Sequence, residues 1–175
     1  MALDKEIIDG FKEESTELLT ELVEVVEKLA EPTSDFPADL LAEYAQKVDR
    51  IMGAAKTMLM MEPEHLGLQR ISGLTEICKR LGYSAAKSGK KDLVPIFAAF
   101  WADTLDVIEE LLENLENLEK TKSIFNSFSK ILINRLSWLS KKVGTSDGLP
   151  PSEVKSKEAA GGQVDIDQLM SELGF

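Results

Sequence analysis

The chain has one histidine, one cysteine and no run of 18 apolar residues, and each shortage argues against a class of function. The lone histidine, His65, follows Glu62-Pro63-Glu64 in a polar turn, with no second histidine or cysteine beside it. A metal site and a His-based catalytic triad both need more than that. The lone cysteine, Cys78, has no partner for an internal disulfide, as expected of a reducing compartment. It lies among Leu74, Ile77 and Leu81 on an apolar face, where a thiol is an inert core group. Without a long apolar run no membrane span is expected. The opening Met1-Ala2-Leu3-Asp4-Lys5-Glu6 lacks the charged-then-apolar layout of a signal peptide, so the expected location is the cytoplasm. Positive charge is scarce too: 20 Lys and Arg against 31 Asp and Glu leave a net charge of −11. That balance argues against nucleic acid or an anionic membrane as partner.

What is present suits a globular helical protein. Its 175 residues are 43% hydrophobic and 29% charged, enough for one domain plus appendages. Apolar residues recur at helical spacing and no strand-like alternation appears over 1–142. A first helix is expected over 3–30, with Phe11, Leu18, Leu22 and Leu29 on its stripe. After Glu31–Pro37, Ser34 or Asp35 caps a second helix that has Pro37 in its first turn and runs to about Met61. Met58, Met60 and Met61 read as core filling near its end. A third helix covers about 64–87. A fourth spans 92–119, with Phe97, Phe100 and Trp101 in the core. Another amphipathic segment, 121–142, has an apolar face suited to covering the bundle or to a homodimer seam. Long helices joined by short polar turns imply an all-α, antiparallel bundle of four or five helices over 1–142. A Gly-, Pro- and Ser-rich tether, 143–162, leads to a short amphipathic peptide at 163–175.

Within the second helix, Leu41, Tyr44/Ala45, Val48, Ile51/Met52, Ala55 and Met58/Leu59 form one buried stripe. Gln46, Asp49, Gly53 and Lys56 fall together on its flank. A helix-interior glycine costs roughly 0.5–1 kcal/mol against alanine, so Gly53 calls for a reason. One is clearance for a partner surface to approach Asp49; the other reading is an exposed face that tolerates a glycine. The arrangement resembles the phosphohistidine helix of histidine-phosphotransfer (Hpt) domains, which reads His, two residues, Lys, Gly. Here Asp49, Met52 and Gly53 stand at those positions, so the glycine is kept and the histidine and lysine are not. The resemblance covers residues 3–119. It implies a pseudo-Hpt domain that docks response regulators without carrying phosphate.

In the last segment, Ile166, Leu169/Met170 and Leu173 form an apolar stripe flanked by Asp165, Asp167 and Glu172. Such a segment is too short to be stably helical alone and reads as one that folds in a partner's groove. The Val164-Asp165 start, Leu169, Ser171 and the ending Leu173-Gly174-Phe175 closely resemble the C-terminus of the CheZ family of chemotaxis phosphatases. That resemblance implies binding of a CheY-like response regulator through Val164, Asp165, Ile166, Leu169, Met170, Leu173, Gly174 and Phe175. It also implies dephosphorylation, in which an amide orients water and an acid meets the receiver's lysine. The chain departs from the family's Asp-x-x-x-Gln, and from the Glu-x-x-Asn of the CheC and CheX families. Its nearest counterparts are Glu43-x-x-Gln46 and Gln46-x-x-Asp49.

The expectation is therefore that Gln46 positions water, Asp49 pairs with the receiver lysine, with Glu43 the fallback acid, and Gly53 and Lys56 complete the docking face. The chain needs no cofactor of its own; any Mg2+ belongs on the receiver. Glu110-x-x-x-Asn114 and Glu113-x-x-x-Asn117 offer similar groups on the fourth helix. The alternative is a non-catalytic adaptor or competitor of a response regulator.

Overall fold

The computed structural model describes residues 3–143, and among them every regular element is helical. Helix α1 runs Lys5–Ala30, α2 Ala38–Met61, α3 Leu66–Ser88, α4 Val94–Glu113 and α5 Leu118–Val143, with a 3-10 turn at Lys91–Leu93 leading into α4. Helix α1 packs on α2 and α4, and α3 packs on the same two, which closes a four-helix ring. Ion pairs fix the directions. Lys47 meets Glu21 and Arg50 meets Glu14 across α1/α2, while Asp49 meets Lys79 and Lys56 meets Glu76 across α2/α3. In both seams the numbers rise on one helix as they fall on the other, so the neighbours are antiparallel. Helix α5 lies against α3 and α4, with Ile124, Phe125 and Leu139 buried. Arg70 of α3 sits 3.9 Å above the Phe125 ring. The extra helix therefore covers the bundle.

The core holds together around Trp101, which is fully buried and stacked on Tyr44 with ring centroids 3.8 Å apart. Phe97 packs against it at 5.3 Å, as the aromatic trio of α4 led one to expect. Val48, Ile51 and Ala55 of α2 are all buried, as their spacing requires. Each large aliphatic side chain removed from water contributes about 1.5–3 kcal/mol. Between α2 and α3 the backbones come close: a Cβ on Gly82 would lie 2.9 Å from that of Ala45. Burial pushes the Cys78 thiol up to about 12, consistent with an inert core group.

Several local expectations need correction. Neither Ser34 nor Asp35 caps α2; Pro37 is its N-cap residue and makes no side-chain cap bond. The Ser34 carbonyl instead accepts from Lys91 Nζ at 2.6 Å, tying this loop to the entry of α4. Of the three methionines only Met58 is in the core; Met60 is 84% exposed and Met61 also faces out, because α2 ends beyond the packed stripe. The fourth helix is shorter than 92–119. It stops at Glu113, and residues 114–117 turn the chain into α5. Asn114 Nδ2 donates to the Glu110 carbonyl at 2.9 Å, and Asn117 Oδ1 accepts from the Lys120 amide at 3.1 Å. Asparagine competes with the helix for backbone partners, which favours ends and caps over interiors. At the far end of α3, Gly89 adopts φ 64°, a left-handed helix stop that glycine takes without strain. Val143, expected to open the 143–162 tether, instead ends α5; the rest of that segment and the 163–175 peptide lie outside the described residues.

Candidate functional site: a charged ledge on α2 and α3

The 3.6-residue repeat that buries Val48, Ile51 and Ala55 necessarily turns Gln46, Asp49, Gly53 and Lys56 to the other side of α2. Gln46, Gly53 and Lys56 are exposed there. A Cβ on Gly53 would meet nothing within 4 Å, so the helix presents bare backbone one turn beyond Asp49. Asp49 itself is less open than its sequence position suggests, with 39% of its side chain exposed. The reason is Lys79 of α3, whose Nζ lies 2.9 Å from Asp49 Oδ1 and which is itself only 14% exposed.

About two turns further along α2, Lys56 Nζ lies 2.9 Å from Glu76 Oε2, and Arg80 meets Glu76 Oε1 at 3.1 Å. Burial raises the pKa of the Glu76 carboxyl, but the hydrogen bonds and charges of Lys56 and Arg80 outweigh it and leave the group below its ordinary 4.5. Glu43 belongs to a different cluster. It lies 3.6 Å from Lys47, whose ammonium also bonds Glu21 of α1. The hydrogen bond to Glu21 raises the Lys47 pKa above its ordinary value. Glu43 is thus engaged at the α1/α2 seam, while Gln46, Asp49 and Gly53 share the α2/α3 side.

Asn114 and Asn117 are in the turn after α4, with their side chains used as caps. His65 is the N-cap of α3: its Nδ1 accepts from the Leu68 amide at 3.3 Å. Among the described residues no group of three or more His, Cys, Asp or Glu is placed to hold a metal, and no helix is long and apolar enough to cross a membrane. Val164, Asp165, Ile166, Leu169, Met170, Leu173, Gly174 and Phe175, expected from the sequence to bind a partner, lie outside the described range.

Sequence reasoning missed Lys79 and Glu76. The Glu76/Arg80 pair has the i,i+4 spacing that a sequence displays. The pairing of Lys79 with Asp49 depends on the register of α3 against α2, which no spacing within one helix encodes. Chemically the ledge offers an exposed amide, a carboxylate paired with a neighbouring lysine, and open space beside one glycine. Comparison with protein-family models, with curated proteins and with solved structures returns no match.

Proposed function

We propose that this chain binds a CheY-like response regulator and promotes its dephosphorylation by two contacts. The 163–175 peptide captures the receiver, the tether raises its local concentration, and the α2 ledge meets the phosphorylated pocket. The observation that carries this reading is the open backbone at Gly53 beside exposed Gln46 and half-exposed Asp49. It gives a bulky partner access to an amide and an acid on one helix face. The acidic-apolar pattern of Ile166, Leu169 and Leu173 supplies the identity of the partner, through its CheZ-like ending.

In this mechanism the Gln46 amide accepts from and donates to the attacking water, holding it in line with the acyl phosphate. Asp49 pairs with the receiver's lysine. An ionised carboxylate has about four acceptor sites. Lys79 contacts one Asp49 oxygen, so the aspartate takes a second cation without losing the first. Mg2+ belongs to the receiver, not to this chain.

The second reading, a non-catalytic pseudo-Hpt adaptor, is favoured by the Asp49–Lys79 pair itself. An acid neutralised within its own domain suits a docking surface as well as a reacting one. Phosphate release from phosphorylated receiver, with this protein substoichiometric, separates the two. The phosphatase reading expects turnover, and a maximal rate roughly 100-fold lower in Gln46→Ala with receiver affinity unchanged, as for an amide acting mainly in the transition state. Saturable binding without turnover gives the adaptor; turnover unaffected by Gln46→Ala rejects the ledge as the site.

A further inference from the structure

A second open feature among the described residues lies on the opposite side from α2, between α4 and α5. Ile96, Phe100, Asp103, Arg135, Trp138 and Leu139 line a groove of about 460 Å³. Its walls are mostly apolar, and two large side chains stand in it partly exposed: Ile96 is 40% and Trp138 43% exposed. Two lysines stand at its rim, in a molecule of strongly negative net charge. Lys142 lies 5.6 Å from the Trp138 ring, Lys90 donates to the Lys142 carbonyl, and Arg135 pairs with Asp103 across the groove.

We propose that residues 164–173 of the same chain dock in this groove, laying the Ile166, Leu169, Met170 and Leu173 stripe against Trp138 and Ile96. Three observations select this occupant. The first is reach. Leu139 lies one turn before the end of α5 at Val143. A Gly- and Ser-rich segment as long as 144–162 has a root-mean-square span of about 25 Å. A groove so near the tether's start sees the peptide at roughly millimolar effective concentration. The second is length. The groove follows α4 from Ile96 to Asp103, eight residues or about 10 Å of helix, and Ile166 to Leu173 is also eight residues. The third is charge. Asp165, Asp167 and Glu172 flank the peptide's stripe, and Lys142 and Lys90 border the groove, whose Arg135 is already paired with Asp103.

The consequence is a self-covered resting form, in which the peptide is released from α5 before it engages anything else. This inference goes beyond the receiver reading, and its test contains no receiver, so the two fail separately. The full-length chain carrying Gln168→Cys is labelled with a nitroxide. The label goes to that site because Cys78 is fully buried and its thiol is pushed up to about 12. In the NMR spectrum the Trp138 indole N–H signal loses most of its intensity, the Gly53 amide on the far face of α2 keeps its own, and dilution changes neither. Adding Leu169→Asp and Leu173→Asp to the labelled chain restores the Trp138 signal. Undiminished Trp138 intensity overturns the proposal, as does equal loss at Gly53. Loss that disappears on dilution overturns it in favour of a second copy in the groove, and loss that survives the double aspartate variant also rejects it.

Discussion

The α2/α3 seam and the α4/α5 seam show two ways for neighbouring helices to meet. Across α2/α3 the backbones approach closely at Gly82 and Ala45, Tyr44 and Cys78 are buried, and the outer edge is closed by the Asp49–Lys79 and Lys56–Glu76–Arg80 pairs. Across α4/α5 the contact is intermittent. Leu139 is buried, yet Trp138 beside it and Ile96 opposite stay partly exposed around a groove. Small residues let helices come together and leave no space for a guest, whereas large residues splay them and create one. The tight seam is therefore suited to presenting fixed side chains on its outside, and the loose seam to receiving a segment within it.

The two tryptophans test that contrast most strongly. Trp101→Ala removes a fully buried ring from the centre of the bundle and should cost about 3–5 kcal/mol of stability. Trp138→Ala removes a ring that is 43% exposed and should cost no more than about 1 kcal/mol. Chemical denaturation followed by helical circular dichroism reads both; equal losses would mean that α5 belongs to the core as fully as α4.

A pair of glycines sharpens the description of the tight seam, with effects of opposite sign. Gly82→Ala places a methyl 2.9 Å from Ala45 Cβ and should destabilise by about 1–3 kcal/mol through overpacking. Gly53→Ala meets nothing within 4 Å and should stabilise by about 0.5–1 kcal/mol from helix propensity alone. The same denaturation midpoints decide it. A destabilising Gly53→Ala would show that the ledge is not open.

A further effect of small size concerns the charged edge. Because the folded pKa of Glu76 lies below its ordinary 4.5, its contribution is complete above that value and is lost as pH falls through the lowered folded one. Glu76→Gln should cost about 1 kcal/mol at neutral pH. The difference from the parent should shrink towards zero in acid, measured as the gap between denaturation midpoints from pH 7 downward. A gap independent of pH would mean that the residue acts through packing rather than charge.

Much of this architecture was determined by the sequence alone. The apolar stripes of α1, α2 and α3 give their faces, the Phe97, Phe100 and Trp101 spacing gives the core, and the Gln46-Asp49-Gly53 flank gives an outward ledge. Helical periodicity is a local property, so one chain suffices to read it. Boundaries were less legible. The apolar run through Leu111, Leu112, Leu115 and Leu118 continues past Glu113, and only the caps made by Asn114 and Asn117 show that the chain turns there. The methionines misled for a related reason: burial depends on how far the neighbouring helices extend, and Met60 and Met61 lie beyond them.

What only the tertiary structure decided is which flanks meet. It joined Asp49 to Lys79 and Lys56 to Glu76, drew Glu43 away to Lys47, and left Trp138 uncovered beside Ile96. Each of these follows from the register and separation of two helices. Those are fixed by the packing of all the buried side chains at once, including a single missing Cβ at Gly82, and not by any repeat within one helix.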